Sequence, residues 1–251
     1  MINDSPIIQV KNVTVRYDDR TILENVSFDI KRGEIFMIVG GSGCGKSTML
    51  RQIIGLERPA EGQILIDGLD IASAQGKEKK EILKKFGVLF QSGGLFASMT
   101  LAENIALALE TYTNISKARM AELIDMKLAA VGLRGFDGFL PSEISGGMKK
   151  RAALARAMAL DPKILCFDEP SSGLDPVTAA AMDALIREIN SALGTTMVVV
   201  SHDLDGVLTT AHRVVMLDKS VKGIIAEGAP QDLKSNKSNE RAYKFFNRIS
   251  D

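Results

Sequence analysis

The stretch GGSGCGKST, Gly40 to Thr48, constrains the fold more than any other part of the chain. It carries the pattern G-x-x-x-x-G-K-S from Gly40 to Ser47. An apolar run, EIFMIV, precedes it and reads as a buried strand, and a helix is expected from Lys46. A glycine-rich loop between a strand and a helix is a phosphate cradle. Gly40, Gly41, Gly43 and Gly45, with Ser42 and Cys44 between them, let backbone N–H groups turn inward toward phosphate oxygens. The helix start adds its positive end. Lys46 is expected to reach the β- and γ-phosphates, Ser47 to ligate Mg²⁺, and Thr48 to close the same stretch. Cys44 reads as a small filler, with an oxidation liability as the sharper alternative.

The rest of the chain has to build a sheet around that loop. Residues 7–17 and 24–30 alternate apolar and polar, as half-buried strands do, and GQILIDG is a further short strand. The pattern turns helical over residues 93–160, with TLAENIALALE and SKARMAELIDMKLAAVG as helices. Strong helix formers run from Met148 to Leu160 and stop at Asp161-Pro162. Beyond come KILCFDE, a helix from Pro176 to about Leu193, TTMVVVSHD, a short helix, and RVVMLD. Buried apolar strands alternating with helices imply an α/β fold with a parallel sheet. A β-rich front, an α/β core and a helical insert therefore share the chain. The charge run GKEKKEILKK, residues 76–85, reads as a solvated helix face.

Three apolar strands besides the one before the loop end in polar tips. ILCFDE ends in Asp168 and Glu169, where phosphate sites form in α/β sheets. Asp168 is expected to hold Mg²⁺ through water, and Glu169 to act as general base or to position the attacking water. VVVSHD ends in His202, which either donates to the γ-phosphate or is structural. FGVLF is followed by Gln91, a candidate for touching Mg²⁺ or the water. Cys166, inside the ILCFDE strand, reads as core.

A second helix start raises a separate question. Gly146 and Gly147 follow Ser145, a good N-cap, where each glycine costs a helix roughly 1 kcal/mol relative to alanine. Bare backbone at a positive helix end suits an anion. One triphosphate hardly needs two such cradles from the same face, so the second is expected to serve a nucleotide held by another copy. Close packing through the glycines is the alternative.

Bulk properties set limits. The 251 residues give room for a large core, and Lys+Arg equals Asp+Glu at 31 each, which argues against a nucleic-acid binder. Two cysteines in unrelated contexts give neither a disulfide framework nor metal spacing, as in a reducing cytosol. No apolar signal core or membrane-length run is evident, so any membrane role is expected to come through a partner.

Taken in order, the phosphate loop, Gln91, the SGG helix, the Asp-Glu strand end, SSGLDP and SHD resemble the ATP-binding cassette (ABC) family over about Ile7 to Glu227. The resemblance implies one domain over residues 1–251: a RecA-like core, an N-terminal antiparallel β subdomain, an inserted helical subdomain at about 93–160, and a helical tail at 229–251. It implies a head-to-tail dimer with two ATP molecules and Mg²⁺ at the interface. It further implies that Tyr17 stacks on adenine, that Ser145, Gly146 and Gly147 contact the opposite γ-phosphate, that Asp175 lies in the loop crossing the dimer interface, and that Gln91 and His202 are switch residues. The family's usual L-S-G-G-Q reads Ile144-Ser145-Gly146-Gly147-Met148 here, so no phosphate role falls to Met148.

LFQSGGLFASMTLAENIAL, PSEISGGMKKRAALARAMALDP and EINSALGTTMVVVSHDL look like the ATPase subunits of Mla/Mce-type phospholipid transporters. That implies a peripheral subunit on the cytoplasmic face of the bacterial inner membrane, a separate permease and further lipid-binding subunits. The expected coupling groove lies near Gln91, with Leu95, Phe96 and Met99 as contacts or as core. The tail AYKFFNRIS either packs on its own domain or docks on a partner through Phe245 and Phe246. A peptide or glycine betaine importer ATPase is the alternative, and a soluble ABC ATPase is the alternative of another class.

Overall fold

The computed structural model describes residues 3–249; residues 1, 2, 250 and 251, which include the end of the expected tail, lie outside the described residues. Two sheets carry the chain. The first is antiparallel, in the order β2-β1-β4-β5, from β1 (Asn3–Tyr17), β2 (Arg20–Arg32), β4 (Glu61–Ile66) and β5 (Leu69–Asp70). The second has the order β10-β9-β3-β8-β7-β6, from β3 (Ile35–Gly40), β6 (Phe86–Leu89), β7 (Ile164–Asp168), β8 (Thr196–Val200), β9 (Arg213–Asp218) and β10 (Gly223–Gly228). Its strands run parallel except for the antiparallel edge pair β9–β10.

The period-2 geometry of a strand explains why β3, β7, β8 and β9 read as continuous apolar runs: each buries both faces. Met37, Leu165, Met197 and Val214 point into one hydrophobic cluster with the larger helices. Phe36, Cys166, Val198 and Val215 point into the other, beneath the antiparallel sheet. Phe36, Ile38 and Val39 are fully buried, and each such side chain contributes roughly 1.5–3 kcal/mol.

The helices are α1 (Lys46–Ile53), α2 (Gly76–Leu83), α3 (Leu101–Tyr112), α4 (Lys117–Ala130), α5 (Gly146–Ala157), α6 (Pro176–Leu193), α7 (Leu204–Thr210), α8 (Pro230–Ser235) and α9 (Glu240–Phe246). Local signals place several of them. A capping box starts α3: Glu103 N donates to Thr100 Oγ1 at 3.2 Å, and Thr100 N to Glu103 Oε2 at 2.7 Å. Asp175 caps α6 ahead of Pro176, and Gly194 ends it with φ +65°. Buried Asn104 fixes the loop before α3, donating to the carbonyls of Phe96 and Met99 at 3.1 Å each.

The fifth helix differs from its expected span. It begins on Gly146 with Ser145 as N-cap, as expected, but its regular part stops at Ala157, with Met158 as C-cap, short of the expected end at Leu160. The expected solvated helix of the charge run is α2, exposed except for buried Ile82 and half-buried Lys79. At the far end, α9 packs on its own chain: Phe246 is buried, Phe245 lies half-buried against the same cluster, and Arg248 pairs with Asp205 of α7 at 2.8 Å. No helix among the described residues is long and apolar enough to cross a membrane.

Candidate active site

The sheet order brings the polar tips together. With β3, β8, β7 and β6 parallel and adjacent in that order, Gly40, His202, Asp168 and Gln91 leave the same edge of the sheet. A cavity of about 610 Å³ opens there, lined by the phosphate loop from Gly40 to Thr48 (Cys44 excepted), Gln91, Glu169 and His202.

The loop's shape depends on missing side chains. Gly40 has φ +142°, and a Cβ there would collide with the Leu217 carbonyl of β9. Gly45 caps α1 at φ +103° without a side-chain hydrogen bond, and a Cβ would sit 2.9 Å from Leu23 Cδ2. No acceptor among the described residues meets the N–H groups of Gly45, Ser47 or Thr48, so an anion can take them. Lys46 folds over the loop, its Nζ donating to Gly40 O at 3.0 Å and Gly41 O at 3.1 Å. Cys44 is buried beside Gly40, and burial pushes its thiol pKa up, which disfavours the reactive thiolate. Burial also pushes up the Cys166 thiol, deep in β7.

Ser47 Oγ donates to Asp168 Oδ1 at 2.8 Å. A hydroxyl and a carboxylate side by side make an oxygen-only donor pair that suits Mg²⁺, which is commonly held by one or two protein oxygens plus substrate phosphates. No cluster of three or more His, Cys, Asp or Glu residues that could hold a metal occurs among the described residues.

Glu169 stands one residue beyond Asp168, with its backbone in the left-handed region at φ +52°. Its side chain is 12% exposed and meets His202 Nδ1 through Oε2 at 2.7 Å, while His202 is 66% exposed. A carboxylate in contact with an imidazole at the cavity wall can accept a proton from water and be oriented while it does so. Gln91 lines the same cavity, but its Nε2 turns to Ser172 Oγ at 3.3 Å. Tyr17 ends β1 at the margin, close to the Thr48 side chain; its OH donates to Glu57. Burial and then the Glu57 carboxylate raise the phenol's pKa.

The other expected residues gather elsewhere. Ser145 Oγ accepts from Met148 N at 3.3 Å, and no acceptor among the described residues meets the N–H of Gly146 or Gly147. A Cβ on Gly147 would lie 2.6 Å from Thr178 Cγ2, whereas one on Gly146 would meet nothing closer than Leu174 Cδ2 at 3.9 Å. Close packing therefore accounts for Gly147 and leaves Gly146 unexplained within one chain. Asp175, capping α6 next door, accepts from Val177 N at 3.1 Å and Thr178 N at 3.0 Å. The Met148 side chain packs on the hydrophobic cluster. Neither the SGG helix start nor Asp175 lines the phosphate-loop cavity of its own chain.

Sequence reasoning missed Arg20 and Ile22, which line the cavity from the start of β2; of its two readings of the tail, packing on its own domain is the one observed, but it did not foresee Phe245 of α9 at the cavity rim. It also missed Lys150, which lies buried on α5. Only the amphipathic run of the tail carried a signal for any of these.

The comparisons with known proteins agree with this layout. A family model described as ABC transporter matches residues 23–172. The intermembrane phospholipid transport system ATP-binding protein MlaF of Haemophilus influenzae is 43% identical over 228 residues, covering 90% of this chain and 85% of that protein. MlaF of Escherichia coli K12 is 42% identical over 246 residues, covering 98% and 90%. The probable ribonucleotide transport ATP-binding protein mkl of Mycobacterium leprae is 45% identical over 210 residues, covering 84% of this chain and 60% of that protein. Among solved structures, a dimeric post-hydrolysis state of the ATP-binding cassette MJ0796 with ADP and Pi aligns with TM-score 0.80 and 31% identity, covering 88% of this chain and 98% of that one. The cbiO1 subunit from Clostridium perfringens aligns with TM-score 0.84 and 28% identity, covering 98% of each chain. With the sheet, the phosphate loop and the SGG helix all in place, the chain belongs to the ABC transporter family.

Proposed function

We propose that this chain is the ATP-hydrolysing subunit of an ABC system that moves phospholipid between bacterial membranes. It works as a head-to-tail pair on the cytoplasmic face of the inner membrane, beside a separate permease and further lipid-binding subunits. The observation that carries the catalytic part is the split of the site. One cavity gathers the phosphate loop, Glu169 and His202, while the open N–H groups of Gly146 and Gly147 lie outside it. A second copy turned head to tail supplies the missing wall. The phospholipid part rests on the names of the relatives at 42–43% identity.

Roles follow from the geometry. Tyr17, pinned by Glu57, offers a ring face to adenine. The loop from Gly40 to Thr48 cradles the phosphates, with Lys46 swinging from its carbonyl partners to the β/γ oxygens. Ser47, Asp168 through water and Gln91 hold Mg²⁺, which supplies charge neutralisation on the phosphates. Glu169 orients or deprotonates the attacking water, and His202 fixes that carboxylate before donating to the γ-phosphate. Ser145, Gly146 and Gly147 meet the partner's γ-phosphate, and Asp175 shapes the loop that crosses between copies. The insert at about 93–160 and the core share one hydrophobic cluster. A groove of about 400 Å³ between them, with exposed Phe96 and Tyr112 on its rim, receives the permease. Leu95 packs on the core and Met99 is half-buried, so Phe96 is the contact of the three.

The test is complementation. A Lys46→Ala chain and a Ser145→Arg chain are each inactive alone. Mixed in equal amounts, half of the dimers pair an intact phosphate loop with an intact SGG helix, and turnover returns to about a quarter of wild type. Mixed chains that bind ATP and dimerise yet hydrolyse nothing refute the shared site. Detergent extraction of the native complex tests the cargo: co-purified phospholipid supports the reading, and a solute-loaded permease replaces it with the importer.

A further inference from the structure

The SGG helix does more than present its glycines. One turn in from Gly146, Lys150 points into the protein and is 7% exposed. Its Nζ donates to the carbonyl of Gln91 and, at 3.3 Å, to the carbonyl of Glu169. Farther along the same helix, Arg156 donates to Gly94 O at 2.6 Å and Gly93 O at 3.1 Å. α5 thus holds the loop that joins β6 to the helical insert at three carbonyls. Lys150 alone also reaches the Asp-Glu strand end.

The Glu169 contact matters because of that residue's backbone. A non-glycine residue at φ +52° is uncommon and persists only where its surroundings over-determine it. Three hydrogen bonds do so here: Glu169 N donates to Val200 O at 2.9 Å, and Glu169 O accepts from Ser172 N at 3.2 Å and from Lys150 Nζ at 3.3 Å. The first ties Glu169 to β8, the second closes its own turn, and the third ties it to α5. Removing the ammonium leaves the Gln91 carbonyl without its donor and the Glu169 carbonyl with only the Ser172 N–H of its own turn, so the Glu169 peptide loses its tie to α5 and can relax. Its carboxylate, one side chain away, then leaves the position set by His202.

We propose that Lys150 is a positioning residue for ATP hydrolysis: by bridging the Gln91 and Glu169 carbonyls it locks the hydrolytic carboxylate and the Gln91 loop to the helix whose start faces the partner's nucleotide. Nothing in this role touches nucleotide. It rests on the shared-site reading above, and it makes α5 the rigid link between the two sites, since Gly146 and Lys150 are separated by only about 6 Å of helix rise. A shift of α5 when the partner's nucleotide arrives is passed directly to Glu169.

The experiment compares Lys150→Met with Lys149→Met, which removes the same charge from the neighbouring position. Two quantities are read: kcat for phosphate release, and ATP-driven dimerisation by sedimentation, the latter with Glu169→Gln added to stop turnover. The expected result for Lys150→Met is a fall in kcat of about tenfold or more with dimerisation at the wild-type ATP concentration. Lys149→Met stays within about twofold, and Lys150→Arg, which keeps charge and donors, recovers at least about a third of wild-type kcat. A kcat for Lys150→Met within twofold of wild type overturns the proposal. So does loss of hydrolysis and dimerisation together, which marks Lys150 as a support for the helix and no more. If Lys150→Met does not fold, Lys150→Gln is judged by the same criteria. Failure of the Glu169→Gln chain itself to dimerise with ATP strikes the shared-site reading instead.

Discussion

Replacing Gly146 with alanine separates the two explanations for the paired glycines. Gly146 is the exposed first residue of α5 with φ outside the left-handed region, and its added Cβ meets nothing closer than 3.9 Å. Within one chain the substitution is therefore free of strain. Alanine also restricts the unfolded chain and favours helix, a gain of about 0.5 kcal/mol at a helix start. For a chain of this length that raises Tm by about 1–2 °C. Against a nucleotide held by a second copy the outcome reverses. A methyl group standing where a phosphate oxygen should meet backbone N–H forfeits one charge-assisted hydrogen bond, about 1.5–3 kcal/mol. Turnover then falls by about 10- to 100-fold. The assay pairs thermal unfolding with phosphate release at saturating ATP. Gly147→Ala cannot serve, because its Cβ already crowds Thr178 Cγ2 at 2.6 Å and would mix strain with lost binding. Gly146→Ala with turnover within twofold of wild type refutes the reasoning, since the missing side chain would then have no purpose at the nucleotide.

Two further substitutions address catalysis and stability. Glu169→Gln keeps the size of the side chain that meets His202 at 2.7 Å but removes its basicity, so hydrolysis drops by at least about 100-fold while ATP binding and the ATP-bound dimer persist; sedimentation and phosphate release read both, and normal turnover removes Glu169 from the chemistry. Asp67, in the β4–β5 turn, pairs with Arg32, with Lys85 at 2.6 Å and more loosely with Lys163 at 3.8 Å. Burial pushes its pKa up, but the Lys85 and Arg32 hydrogen bonds and charges outweigh that and lower it from 3.8 to about 2. A folded value below the unfolded one means stability that is fully present above about pH 4 and is lost as pH falls through about 2, worth about 2 kcal/mol. Asp67→Asn therefore lowers Tm by about 5 °C at pH 7, and the gap narrows below pH 4; a gap constant from pH 7 to pH 3 contradicts the ion-pair account.

The sequence made the phosphate loop, the four strand tips and the helix Pro176–Leu193 legible because each is governed by rules that act over a few residues: glycine freedom, strand alternation, proline and aspartate at a helix start. What stayed hidden depends on residues far apart. Tyr17 reaches Glu57 across forty positions, and Phe245 comes to the cavity rim from near the chain's end. The two-residue strand β5 has too little pattern to announce itself. Lys150 shows the difficulty most clearly. In the sequence it is one of two adjacent lysines on a helix, where charge predicts solvent; in the fold it is buried with its ammonium shared between the Gln91 and Glu169 carbonyls of separate loops. The same holds for Glu169. A strand pattern locates it at the sheet's edge, but no local rule assigns φ +52° to a glutamate, and that conformation is held by β8, by the Ser172 N–H of its own turn and by α5 together. The sequence thus locates the carboxylate, while its aim is set by contacts that only the assembled sheet and the SGG helix create. A change that leaves every motif residue intact can therefore silence the site, provided it loosens α5.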